Sequence, residues 1–263
     1  MYLTDYHIHT NWSHDGRDSM EKITESAIDK NVQEICFTDH FELTEDRDKI
    51  DYSNYLLEYK KIKKKYHGKI ELRLGIELGI LNDRLDGFSK VVNSFPFDYV
   101  LASTHRVDNI SPSLPEYFDG IDRLESYLKY FKYMHESIRQ FDDFDCWAHL
   151  DYIIRYGSFE KKGFRYFELQ DILDEILKTL ISKGKGIEIN SSYRLKNKKE
   201  FHPSREILKR YFELGGEIIS FGSDAHRKEN IAIYCKEARE LLSSLDQNYL
   251  SIFKNRKVDF IKI

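Results

Sequence analysis

At 263 residues, 41% of them hydrophobic and 33% charged, the chain can bury a large core, and it contains no apolar run long enough to span a bilayer. A net charge of -4 and an isoelectric point near 6.2 count against a general nucleic-acid binder, which is ordinarily basic. Cys36, Cys146 and Cys235 lie far apart with no paired spacing, so they read as reduced core residues, and with no charged-then-apolar leader at the start the expectation is a cytoplasmic protein.

The first predicted strand, about Thr4 to Ile8, carries Asp5-Tyr6-His7-Ile8-His9-Thr10. Strand side chains alternate faces, so His7 and His9 point the same way and suit one divalent metal. A loop with Ser13-His14-Asp15-Gly16 follows, then a helix capped by Ser19 with Met20, Ile23 and Ala27 on its apolar face, ending near Asn31. The second strand, Glu34 to Thr38, finishes at Asp39-His40. Tyr52, Tyr55, Leu56, Tyr59, Ile62 and Tyr66 keep a helical rhythm, and the lysines between 60 and 65 form its solvated face.

A third strand, roughly Leu72 to Ile76, ends at Glu77, and a short helix from Leu85 to Phe95 is stopped by Pro96. The fourth, Tyr99 to Ser103, leads into Thr104-His105. Ile110 to Asp119 reads as a loop, and Ile121 to Phe141 traces a long helix. The fifth strand, about Asp145 to Ala148, ends at His149, and a helix from Ile172 closes near Gly184. Gly186 to Asn190 is the sixth, and Ser204 is expected to cap the helix that ends at Gly215-Gly216. The seventh, Glu217 to Phe221, runs into Gly222-Ser223-Asp224-Ala225-His226; a last helix carries Ile231 to Leu245, and Val258 to Ile261 suggests a final short strand.

Such strict β/α alternation implies parallel strands, in an open sheet or a closed barrel. His7, His9, His40, Glu77, His105, His149, Asp224 and His226 all fall at or just past the C-terminal end of a predicted strand. That edge is where parallel α/β folds build their sites, and convergence from six strands on one compact site favours the barrel. His67 and His135 sit in helical patterns and read as ordinary surface or packing residues. Imidazole and carboxylate without thiolate suits zinc, manganese or iron, and so many donors imply two or three divalent ions with Glu77 able to bridge. Such a cluster favours hydrolysis of a phosphate ester by a metal-bridging hydroxide that attacks phosphorus in line. Arg194, Arg155 and Arg106, in that order, are the candidate cations for the phosphate. Trp12, Phe41, Tyr117 and Tyr193 are either pocket walls or packing.

The His-x-His of the first strand, Thr38-Asp39-His40, Glu77, Ser103-Thr104-His105, His149 and Gly222-Ser223-Asp224-Ala225-His226 together resemble the PHP (polymerase and histidinol phosphatase) superfamily over nearly the whole chain. Ser13-His14-Asp15-Gly16, Glu188-Ile189-Asn190 with Arg194, and His202-Pro203-Ser204 look most like its histidinol-phosphatase branch. The resemblance implies a single domain over residues 1–263, a distorted TIM-like barrel of seven βα units with its metal site at the C-terminal mouth. It implies one ion on His7, His9, Glu77 and Asp224, a second on Glu77, His105 and His149, and a third on His14, His40 and His226, where either His14 or Asp15 completes the set. Glu77, Asp224 and His226 would act in the chemistry, with His226 or bound water protonating the leaving alkoxide. The implied reaction is hydrolysis of L-histidinol phosphate in histidine biosynthesis. Rival readings are a PHP phosphoesterase for phosphotyrosine, a nucleotide or another small ester, an amidohydrolase, or an inactive metal-binding module. A small phosphate ester is the expected partner, with neither nucleic acid nor membrane.

Overall fold

The computed structural model describes residues 2–44, 50–160, 163–196 and 199–263. Its frame is a parallel sheet of seven strands taken in the order β1 (Thr4–Ile8), β2 (Glu34–Phe37), β4 (Glu71–Gly79), β5 (Tyr99–Ser103), β6 (Cys146–Trp147), β7 (Gly186–Asn190) and β8 (Ile219–Gly222). A short extra strand, β3 (His40–Glu42), pairs with β4 beyond the end of β2. The ring closes through a parallel bridge between Ile8 and Ala225, where His9 N donates to the Ala225 carbonyl at 2.9 Å. The order of connections and this closure give the TIM-like barrel that the strand-end ligands favoured and the family resemblance implied.

Among the described residues, seven α-helices lie between the strands: α1 (Met20–Asp29), α2 (Tyr52–Lys65), α3 (Leu85–Ser94), α4 (Arg123–Gln140), α5 (Gln170–Ser182), α6 (Arg205–Glu213) and α7 (Cys235–Ser243). Their starts follow capping chemistry. Ser19 accepts from Lys22 N, Asp51 from Ser53 N and Asn54 N, and Asp122 from Glu125 N, which satisfies amides that the first turn leaves without partners. Their apolar faces pack on the outside of the strands. Met20, Ile23 and Ala27 of α1 are fully buried there, as are Leu173, Ile176 and Leu177 of α5.

The barrel interior away from the site is a separate small core of Tyr6, Cys36, Tyr99, Leu101, Cys146 and Ala148, plugged by Phe253. Tyr6 and Tyr99 meet edge to face at 5.2 Å, and Tyr99 lies 4.6 Å from Phe253. Phe253 belongs to an antiparallel hairpin, β9 (Tyr249–Lys254) and β10 (Lys257–Lys262), of which the sequence pattern suggested only the second strand. Its turn residues Asn255 and Arg256 both take positive φ, as a tight two-residue hairpin turn requires, and Asp98 accepts both of their amides.

The expected boundaries shift in several places for physical reasons. β4 continues through Glu77 to Gly79, because β3 supplies a pairing partner for His40↔Glu77 through Glu42↔Gly79. The loop from Ile110 contains a 3-10 turn at Pro115–Phe118. Ser204 does not cap α6 with its side chain; its amide instead donates to Asp151 Oδ2 at 2.9 Å. Among the described residues, no helix is long and apolar enough to cross a membrane.

Candidate metal centre

Five of the barrel strands and β3 deliver these side chains at the same rim. His7 is the last residue but one of β1 and His9 follows the strand, His40 opens β3, Glu77 lies inside β4, and His105, His149 and Asp224 follow β5, β6 and β8. His149 and Asp224 both adopt positive φ, 24° and 55°, a conformation costly for side chains other than glycine, on the order of 1–3 kcal/mol each. Gly222 just before Asp224 has no room for anything larger. A Cβ there would stand 1.9 Å from Glu188 Oε1 and 2.5 Å from His7 Cβ.

Glu77 is the centre of the cluster and is fully buried. Its Oε2 faces His7 Nε2 at 3.3 Å, His9 Nε2 at 3.6 Å and His40 Nδ1 at 2.8 Å. Its Oε1 faces His149 Nε2 at 3.1 Å and His105 Nε2 at 3.3 Å. The two oxygens thus serve opposite sides of the site. Asp224 Oδ1 completes the first side, 3.7 Å from His7 Nε2 and 3.4 Å from His9 Nε2.

At the outer rim, His40 and His226 flank Asp15, whose Oδ2 is 3.1 Å from His226 Nε2 and whose Oδ1 is 3.7 Å from His40 Nε2. His14 reaches Asp15 Oδ2 at 3.5 Å. Asp15, rather than His14, therefore stands between the two imidazoles, while His14 lines the same cavity.

Imidazole orientation is set from behind. His7 Nδ1 pairs with Glu188 Oε1 at 2.7 Å, and the other Glu188 oxygen accepts from His149 N and Asn190 Nδ2. His9 Nδ1 meets Ser13 Oγ at 3.2 Å, and Ser13 donates to Asp39 at 2.6 Å. His105 Nδ1 pairs with Glu42 Oε1 at 2.9 Å, and His226 Nδ1 with the Asp224 carbonyl at 2.9 Å. With these four δ nitrogens engaged, the ε nitrogens of His7, His9, His105 and His226 turn inward, the arrangement that metal-binding histidines need.

These residues fit divalent metals. His7 Nε2 and His9 Nε2 stand 3.0 Å apart, two lone pairs facing one point. Asp15 Oδ1 and Glu77 Oε2 are buried among these imidazoles yet make no hydrogen bond, two acceptors that a cation would satisfy. Ligand-spaced trios include His7–Glu77–His149, His7–His9–Asp224, His9–His40–His226 and His40–Glu42–His105. Burial would raise the Glu77 carboxyl, but the charges of His7, His105 and His40 outweigh it and hold Glu77 well below the usual carboxylate range. Burial, with His40 and His226 nearby, pushes His9 well down.

The cluster floors a cavity of ≈ 260 Å³ whose lining includes Arg106, Ser111, Ser113, Tyr152 and Arg155. Arg155 donates through Nη2 to Ser192 Oγ at 2.6 Å, lies 3.7 Å from Asp224 Oδ2, and rests on the Tyr152 ring at 4.5 Å. Of the three arginines expected from the sequence, Arg155 and Arg106 line this cavity. Arg194 is not among the lining residues, because its guanidinium sits over Phe201 and Tyr234 and donates to the Lys199 carbonyl. Phe41, Tyr117 and Tyr193 are buried packing residues, and Trp12 is tied to Glu58.

The sequence motifs contain Ser13, Asp39, Glu188 and His202 without giving them a role, and Glu42, Asp151 and Ser192 were passed over. Glu42 carried a signal, since it lies two residues from His40 on one strand and so shares its face. The PHP domain profile matches residues 5–192, well over half of the sequence. The chain belongs to the PHP domain family. It is 30% identical to the histidinol-phosphatase of Lactococcus lactis over 98% of this chain and 97% of that one. It is also 30% identical to a probable histidinol-phosphatase of Clostridium acetobutylicum, over 90% and 91% of the two chains. The crystal structure of the Lactococcus lactis histidinol phosphate phosphatase, complexed with zinc, L-histidinol and phosphate, superposes with a TM-score of 0.92 at 29% identity, covering 98% of both chains.

Proposed function

We propose that this chain is a histidinol-phosphatase, one PHP domain over residues 1–263 that hydrolyses L-histidinol phosphate to L-histidinol and phosphate. The single observation that carries the reading is the convergence of Glu77, Asp224, Asp15 and six histidines on one cavity, in a chain that matches a histidinol-phosphatase from end to end. His7, His9, Asp224 and Glu77 Oε2 would hold one divalent ion; Glu77 Oε1, His105 and His149 a second; and Asp15, His40 and His226 a third, with zinc the first candidate and iron or manganese the others. Bound there, the ions would supply charge neutralisation at the phosphoryl oxygens and a water acidic enough to serve as nucleophile near neutral pH.

The chain's own residues do the rest. Arg155 holds the phosphate from the Ser192 side and Arg106 from the opposite loop, both presenting cations to an anion. Arg194 joins them only by leaving the Lys199 carbonyl. Glu188 and Asp39 fix the imidazoles, so their orientation is set before substrate arrives. His226, at the partly open rim, passes a proton to the departing alkoxide when it is not engaged as a ligand. The ≈ 260 Å³ cavity suits a small monoester better than a peptide or a nucleic acid.

The test compares kcat/KM of the metal-loaded chain for L-histidinol phosphate, phosphotyrosine, a nucleoside monophosphate and p-nitrophenyl phosphate. The expected value for L-histidinol phosphate exceeds the others by about 100-fold or more, as a site that hydrogen-bonds its substrate discriminates. A higher value for another ester would move the substrate while leaving the metal centre in place.

A further inference from the structure

Behind Arg155 lies a buried chain of polar contacts that the proposed chemistry has not used. His202 is fully buried. Its Nδ1 stands 2.5 Å from Asp151 Oδ1, and its Nε2 accepts from Arg155 Nε at 3.0 Å. Asp151 is itself nearly fully buried and takes a second hydrogen bond from Ser204 N. Both partners of the imidazole are thus defined: a carboxylate on one nitrogen and a guanidinium donor on the other.

The scaffold holds this arrangement on two sides. His202 exchanges two backbone hydrogen bonds with Asn190, at 2.7 and 3.0 Å, which lays its loop against the end of β7. The Tyr193 ring covers the imidazole at 4.5 Å. Asp151 follows β6 two residues after His149, and Ser192 follows β7 two residues after Asn190. Arg155 therefore spans two adjacent strand ends, with Ser192 on its outer nitrogen and His202 on its inner one.

A guanidinium has five N–H groups in a rigid fork, so fixing Nε fixes where the two terminal nitrogens point. The lone pair needed on His202 Nε2 exists only in the neutral tautomer protonated at Nδ1. Asp151 selects that tautomer by accepting the Nδ1 proton. Burial, reinforced by Arg155, overrides Asp151 and pushes the imidazole down to about 4, so His202 is neutral at ordinary pH.

We propose that Asp151 and His202 form a positioning relay that aims Arg155 at the phosphoryl group, so that His202 contributes to phosphate binding without touching substrate or metal. This rests on the phosphatase reading only in that the anion held by Arg155 is a phosphate. An alternative in which Asp151 and His202 merely staple the loop to β7 makes different predictions.

His202→Asn keeps a donor for Asp151 but has no acceptor at the Nε2 position, whereas His202→Gln places its carbonyl oxygen there. With metal-loaded protein and p-nitrophenyl phosphate as the ester, H202N is expected to raise KM and the inhibition constant of inorganic phosphate about tenfold, with kcat within about threefold and metal content unchanged. H202Q is expected to recover most of that loss. In an Arg155→Ala background, H202N should add less than about twofold, because the relay acts only through Arg155. If H202N does not fold, Asp151→Asn carries the test, with a smaller rise that also vanishes with Arg155. Phosphate binding that does not weaken in the folded variants, an equal loss with and without Arg155, or no rescue by glutamine would overturn the relay. Calorimetric titration with inorganic phosphate reads the same ratios even if no ester is turned over, so the relay and the substrate assignment fail separately.

Discussion

Glu77 organises the site because both of its oxygens are used, one facing His7, His9 and His40 and the other His105 and His149. A carboxylate buried among so many imidazoles is intelligible only where positive charge is shared across it. Glu188 has a different role at the same scale. It lies behind His7, 181 residues away in sequence, and turns Nε2 inward. Glu188→Gln keeps the size but removes the charge, and is expected to weaken metal affinity by about 10–100-fold, with activity recovered at excess metal; unchanged affinity in a metal titration would remove this role. The histidines and Asp224 were readable because each sits at a strand end in a short motif. Glu188 and His202 stood in quoted motifs and Glu42 two residues from His40, but their roles were not read, since the partner that gives each its meaning comes from another strand.

At the scale of elements, periodicity did not supply the short strand β3 or β9, the first strand of the hairpin. Three residues are too few to show a period, and β3 exists because β4 extends beyond β2 and leaves unpaired backbone for His40 to Glu42. The strand β9 follows α7 closely and shows little alternation around Phe253, yet that ring fills the barrel floor against Tyr6 and Tyr99. Phe253→Ala empties that floor. It is expected to cost about 3–5 kcal/mol and to lower the melting temperature by about 10 °C while leaving kcat of the folded enzyme nearly unchanged. A melting shift under about 2 °C would mean that the hairpin is not part of the core.

For the molecule as a whole, the arithmetic of the barrel explains why the site is complete only late in the chain. The family match ends at residue 192, but Asp224 and His226 follow β8, the strand that closes the ring against β1. Closure places the first and last strands side by side, so His7 and Asp224 meet although 217 residues separate them in numbering. The alternation of strands and helices made the parallel sheet legible, and strand-end placement made its closure and most of the rim legible. Which arginine faces the mouth was not, because it depends on whether a side chain finds a competing acceptor, as Arg194 does at Lys199 and Arg155 does not in the same way, being held by His202 and Ser192 toward Asp224.

The central claim is that these convergent residues hold metals that make the chain hydrolyse L-histidinol phosphate. The most direct measurement is phosphate release from that ester by chelator-stripped protein before and after reconstitution with zinc, with bound metal counted per chain. The account predicts negligible release from the stripped chain and full release once two or three ions are bound. A folded chain carrying those ions that releases no phosphate from L-histidinol phosphate would contradict it.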